Sequence, residues 1–250
     1  MIALKRTHSR SAVLAVLVLA ASLPFHASAQ GPLCDFGTKI TELKALQSSG
    51  TNEVVAELNV RKDLLKISIG CLKKETKYSD SELQKIESDR EDIKAFAEWI
   101  HRQIQENVSY YNYKETQIDS LGLKGAKDFA KELANRKEQV NTVLDNLVVS
   151  LTDWMSNENL FKTGEKRFAD IKKTLSAFNL PHDHEILLLE KEAMGIFNEG
   201  KVKHQETWKD LSNREVEASR AEAKESLELL AEAYEVFLKI SEVSKKTLPL

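Results

Sequence analysis

The run His182-Asp183-His184-Glu185 is the one place in this sequence where metal-capable side chains crowd together. Imidazole and carboxylate in that mixture suit zinc or copper. The spacing works against a site. Residues two apart do not share a helix face, so one histidine must lie outside the helix. A further ligand must then come from elsewhere, and no second cluster supplies one. In the plainer reading Asp183 caps a helix start and both histidines are solvated. His182, Asp183 and His184 are kept as the metal candidates, and no cofactor is expected.

Glu98 and His101 stand three apart, the Glu-x-x-His spacing of di-metal carboxylate bundles. That chemistry needs a second copy. The residues three before His182, His184 and His204 are Asn179, Pro181 and Lys201, so the copy is missing. The sequence holds no His-Glu-x-x-His, no Gly-x-Ser-x-Gly and no phosphate-binding glycine loop. These patterns point away from hydrolytic and nucleotide chemistry and toward a non-enzymatic role.

Aromatic residues offer a different chemistry, that of contact. Tyr110, Tyr111 and Tyr113 precede Lys114–Gly125, a stretch with two glycines that reads as a long loop. Tyrosines beside a loop form a peptide or sugar surface, or they cap the end of a bundle. Trp208 lies in a stretch poor in large apolar residues and is either a packing residue or a partner contact. These four are the partner-binding candidates. Asn107-Val108-Ser109 matches a glycosylation sequon but falls in an expected helix.

Cys34 and Cys71 are the two cysteines. A helix from Asp35 to Ser48, a turn at Ser49-Gly50 and a second helix from Asn52 to Lys77 would bring Cys34 back beside Cys71. The disulfide expected there closes a loop of roughly 37 residues, worth about 4 kcal/mol by chain entropy. An oxidising compartment is implied, and the N-terminus agrees. Lys5, Arg6, His8 and Arg10 form a basic stretch, Ala12 to Leu23 an apolar one, and Ala27-Ser28-Ala29 a cleavage pattern. Residues 1–29 are read as a signal peptide and 30–250 as a single helical bundle domain. The product is expected in the periplasm or outside the cell, with no transmembrane segment once the leader is removed. Its formal net charge of −3 includes three basic residues of the leader, so the exported product is more acidic still. No nucleic-acid affinity is expected.

Such candidates need elements to hold them. Nine glycines and four prolines in 250 residues, with 30% charged residues, point to helices. Apolar stripes at helical spacing run through Phe36–Gln47, Val54–Leu72, Leu83–Tyr111, Phe129–Trp154 and Leu160–Phe178. A turn is expected at Tyr78–Ser81 and a break at Ser156–Asn159. Arg90 interrupts the third stripe, as a snorkelling residue or as half of a buried ion pair. From Pro181 to Leu248 no proline intervenes, and the stretch reads as a very long C-terminal helix, or as two helices joined by a short break. Its middle is weak, so a kink near Gly200, a break near Asn213 or an exposed waist is expected.

The fold expected is all-α, an elongated antiparallel helical bundle with that very long C-terminal helix. The function expected is an exported interaction protein, an adaptor, chaperone or effector with a protein partner. Two alternatives are a helical carrier of a small ligand or metal, and a membrane-inserting toxin component.

Overall fold

The computed structural model describes residues 36–48, 53–178 and 180–247. Residues 1–29 and Cys34, on which the leader and half of the disulfide rest, lie outside them. The described chain is all-α. Its helices are α1 (Gly37–Ser48), α2 (Val54–Leu83), α3 (Glu91–Gln117), α4 (Leu123–Arg136), α5 (Thr142–Ser176), α6 (Glu185–Ser212) and α7 (Val216–Thr247). A 3₁₀ turn, Ile118–Ser120, follows α3, and a π turn, Lys137–Asn141, joins α4 to α5.

Packing groups these residues into two compact units, divided within α5 at Asp153. In the N-terminal unit, α2 lies along α3 and α4. The pairs Lys73–Glu115 and Asp80–His101 show that α3 runs antiparallel to α2. The pairs Glu57–Lys127 and Glu75–Lys137 show that α4 runs parallel to it. Leu65, Ile69 and Leu72 of α2 form a core with Tyr111, Ile118, Ala126, Phe129 and Leu133.

In the C-terminal unit, the part of α5 from Asp153 packs with α6 and α7. Phe161, Phe168 and Leu175 meet Ile186, Ala193 and Phe197 of α6 and Leu230, Val236, Phe237 and Ile240 of α7. Gly200 lets α6 and α7 approach closely, since a Cβ there would stand 3.2 Å from the Ser226 carbonyl and from Leu229 Cβ.

One expectation left open is decided, and three about elements are corrected. Of the alternatives left open for Pro181–Leu248, the break near Asn213 is the one found, and the stretch is two helices rather than one very long helix. It breaks at Asn213, and α7 folds back along α6. The Arg214 N–H bonds Leu211 C=O and the Glu215 N–H bonds Asp210 C=O, both at 2.9 Å. With Arg214 at φ 70°, this is a Schellman stop that ends a helix by satisfying its last carbonyls. The weak middle does not form an exposed waist, since His204 and Leu211 are buried.

Tyr78–Ser81 is the last turn of α2, not a connection. Ser79 is buried, its hydroxyl donates to Asp145 Oδ1 at 2.9 Å, and buried Leu83 carries the helix on. Arg90 consequently sits exposed at the N-cap of α3, paired with Asp92 at 2.6 Å, and belongs to no apolar seam. Lys114–Gly125 is no long loop either. α3 continues to Gln117, fully buried Ile118 anchors the 3₁₀ turn, and Gly122 caps α4. Finally, α5 runs unbroken through Ser156–Asn159, where Asn157 faces inward.

Candidate functional site

Two buried centres and a set of outward apolar side chains stand out among the described residues. The first centre lies in the N-terminal unit, at the π turn. Asn141 is its hub. Its Oδ1 accepts from Asn107 Nδ2 at 2.6 Å and from the Tyr111 hydroxyl at 2.7 Å, and its Nδ2 donates to Thr76 Oγ1 at 3.2 Å. Thr76 donates in turn to Leu72 C=O at 2.7 Å. Arg136 Nε donates to Asn107 Oδ1 at 2.9 Å, and its guanidinium lies 4.5 Å from the centre of the Tyr110 ring. Buried polar groups linked in this way specify one arrangement of helices, because any other leaves a donor or acceptor unmet. Burial pushes the Tyr111 phenol up to about 12, against the opposing hydrogen bonds of Asn107 and Asn141.

The second centre lies in the C-terminal unit. His204 of α6 is 3% exposed and sits between two rings of α5. Trp154 stacks on it at 4.9 Å with planes 7° apart, and Phe161 lies at 5.0 Å and 24°. Its Nε2 is 2.9 Å from Glu158 Oε2, and Trp154 Nε1 donates to the His204 carbonyl at 3.2 Å. The carboxylate only accepts, so Nε2 carries a proton in this bond. One histidine thereby joins α5 to α6 by its ring faces, its ring nitrogen and its backbone.

A third pairing is more exposed. Asp80 accepts from His101 Nδ1 at 2.6 Å and from Gln105 and Gln84, each at 3.2 Å. The pair ties the end of α2 to α3.

The residues singled out from sequence separate. His182 and Asp183 are exposed in the turn before α6. His184, not Asp183, is the N-cap, its Nδ1 accepting from the Ile186 N–H at 3.2 Å. Among the described residues, no group of three or more His, Cys, Asp or Glu side chains is placed to hold a metal ion. Of the tyrosines, Tyr111 is buried, half-buried Tyr110 donates to Glu132 at 2.8 Å, and Tyr113 is exposed. Trp208 is half-buried, with its ring 4.9 Å from Trp154. Cys71 is half-buried in α2.

Sequence reasoning missed Asn107, Asn141, Glu158 and the clamp on His204. Trp154 and His204 each stand on an apolar stripe, and Trp208 follows His204 by four. That spacing was the available signal for an aromatic seam. Val55 (72% exposed), Tyr113 (63%), Leu188 (56%) and Val202 (53%) face outward. Among the described residues, no helix is long and apolar enough to cross a membrane.

No family model, curated protein or solved structure matches the chain.

Proposed function

We propose that this chain is an exported, non-enzymatic interaction protein that binds a protein partner through the outer faces of its helices. The observation that carries this reading is the set of exposed apolar side chains, Val55 and Tyr113 in one unit and Leu188 and Val202 in the other. Apolar groups held on rigid helices give a partner area to bury at little ordering cost. The basic and apolar stretches at the N-terminus and the Ala27-Ser28-Ala29 pattern support export, with Gln30 as the first residue of the product. The Cys34–Cys71 disulfide belongs to the same proposal.

Site-specific photo-crosslinkers at positions 55, 113, 188 and 202, introduced one at a time in the exporting cell, test the reading. A single discrete adduct from positions of one unit is the expected result, in the periplasmic or extracellular fraction. Absence of any adduct at all four positions contradicts it. Stabilisation of the purified protein by zinc, copper or a small ligand would favour the carrier instead. Leakage from lipid vesicles would favour membrane insertion.

A further inference from the structure

The helical backbone from Leu123 to Ser176 is re-registered at the π turn Lys137–Asn141, where the Thr142 N–H reaches back five residues to Lys137 C=O. A regular helix continued from Phe129 and Leu133 would turn Val140 inward, seven residues after Leu133. The extra residue in the turn sets the later chain back by about 100°, one residue's share of a helical turn. Asn141 is buried as a result, and Val140 is only half-buried.

The facing helix matches this change. Opposite α4, α2 presents Leu65, Ile69 and Leu72 to the core. One turn further it presents hydroxyls, Thr76 to Asn141 and Ser79 to Asp145. The π turn thus brings polar residues of α5 to the polar end of α2. Val140 needs no partner when buried, but in its place Asn107 Nδ2 and the Tyr111 hydroxyl lose their acceptor. Asn141 needs partners for its oxygen and its nitrogen, and has them in Asn107, Tyr111 and Thr76. Two neighbouring residues therefore compete for one inward place, and the hydrogen bonds decide between them.

We propose that the π turn is a two-register element. The bulge stays at residues 137–141 while Asn141 holds its three partners. When they are lost, it moves along the helix and turns Val140 inward. A moving bulge turns each residue it passes by one position and re-forms the backbone hydrogen bonds behind it. Val143, exposed in the structure, changes face as the bulge passes, so the two registers present different outer surfaces.

The test compares four full-length chains: wild type, Asn141→Ala, a deletion of exposed Gln139, and the two changes together. Deleting Gln139 removes the extra residue, keeps both flanking registers and leaves Asn141 inward with no bulge to move. With the bulge present, Asn141→Ala takes the acceptor from Asn107 Nδ2 and the Tyr111 hydroxyl but Val140 fills the space, so the unfolding constant should rise by about 10–100-fold. In the deletion background the space stays empty as well, and the same change should raise it by about tenfold more than with the bulge. The Val140 methyl signals should move to a buried environment in Asn141→Ala alone. Equal costs in the two backgrounds would overturn the proposal and make the π turn a fixed insertion. If the deletion chain does not fold, the methyl signals decide, and an unmoved Val140 overturns it.

Discussion

At the scale of single residues, glycine shows how context decides the sign of one substitution. Gly195 lies on the exposed side of α6 with nothing within 4 Å of a Cβ built there. Gly195→Ala should therefore stabilise the protein by about 0.5–1 kcal/mol, the helix preference of alanine over glycine. At Gly164 the same Cβ would stand 2.8 Å from Phe197 Cε2 and 3.3 Å from its Cζ. Phe197 cannot swing aside, since it is buried edge-on against Phe168 at 4.3 Å. Overpacking of about 1–3 kcal/mol then outweighs the helix gain, and Gly164→Ala should lose stability. Denaturant unfolding of the two variants checks both signs. Arg214 makes the converse case. It holds a left-handed conformation that glycine adopts without penalty, so Arg214→Gly should raise stability by about 0.5–1 kcal/mol. A lowered denaturation midpoint would show that the arginine side chain matters more than its backbone.

Asn107 belongs to the same scale. It is 0% exposed, with both ends of its amide committed. A glycan on its sequon cannot coexist with that packing. In a secretory host that glycosylates during translocation, the wild-type chain should be retained and aggregate. Ser109→Ala, at an exposed position, should restore secretion of unglycosylated protein, read by glycosidase shift and yield. Equal secretion of a glycosylated wild-type chain would contradict the buried placement.

At the scale of elements, α3 is tied to α4 by Glu132, which accepts from Lys114 at 2.6 Å and from the Tyr110 hydroxyl at 2.8 Å. The Lys114 bond holds the Glu132 carboxyl below its ordinary range, against burial and with help from Tyr110. A depressed carboxylate stabilises the fold above its ordinary value of about 4.5 and ceases to do so as pH falls through the lowered value. The thermal midpoint of wild type should exceed that of Glu132→Gln at about pH 6, and the gap should close toward about pH 3. A constant gap across that range would show that the loss came from packing rather than charge.

Which elements exist was readable from apolar periodicity; where several of them end was not. Leu65, Ile69, Leu72, Phe129, Leu133, Phe161 and Phe168 stand at helical spacing, and all are core residues. Ser79 and Asn157 look like helix breakers in sequence because their side chains compete for local backbone. In the fold they face inward, and Ser79 finds Asp145, sixty-six residues away, which no local pattern announces. Asn141 is hidden for a related reason. The stripe through Phe129, Leu133, Val140 and Leu144 is regular, and only the π turn moves the inward place from Val140 to Asn141. The His204 centre was half legible. Trp154, His204 and Trp208 were visible as stripe members, but nothing in sequence pairs position 154 with position 204.

At the scale of the whole molecule, the break at Asn213 matters most. It converts what reads as one very long helix into a hairpin, so that the C-terminal unit supplies its own packing partner in α7. Each unit then has its own core and its own polar or aromatic centre, and each carries outward apolar side chains. The proposed function rests on those outer faces rather than on the buried centres, which hold helices together. Affinity capture of the tagged protein from its own cell envelope and culture medium tests this most directly, with Val55→Glu/Tyr113→Glu and Leu188→Glu/Val202→Glu chains as controls. The account predicts one partner in near-stoichiometric amount with wild type, its recovery lost in one of the two controls while the thermal midpoint stays put. Equal recovery by all three chains, or no specific partner with any, would contradict it.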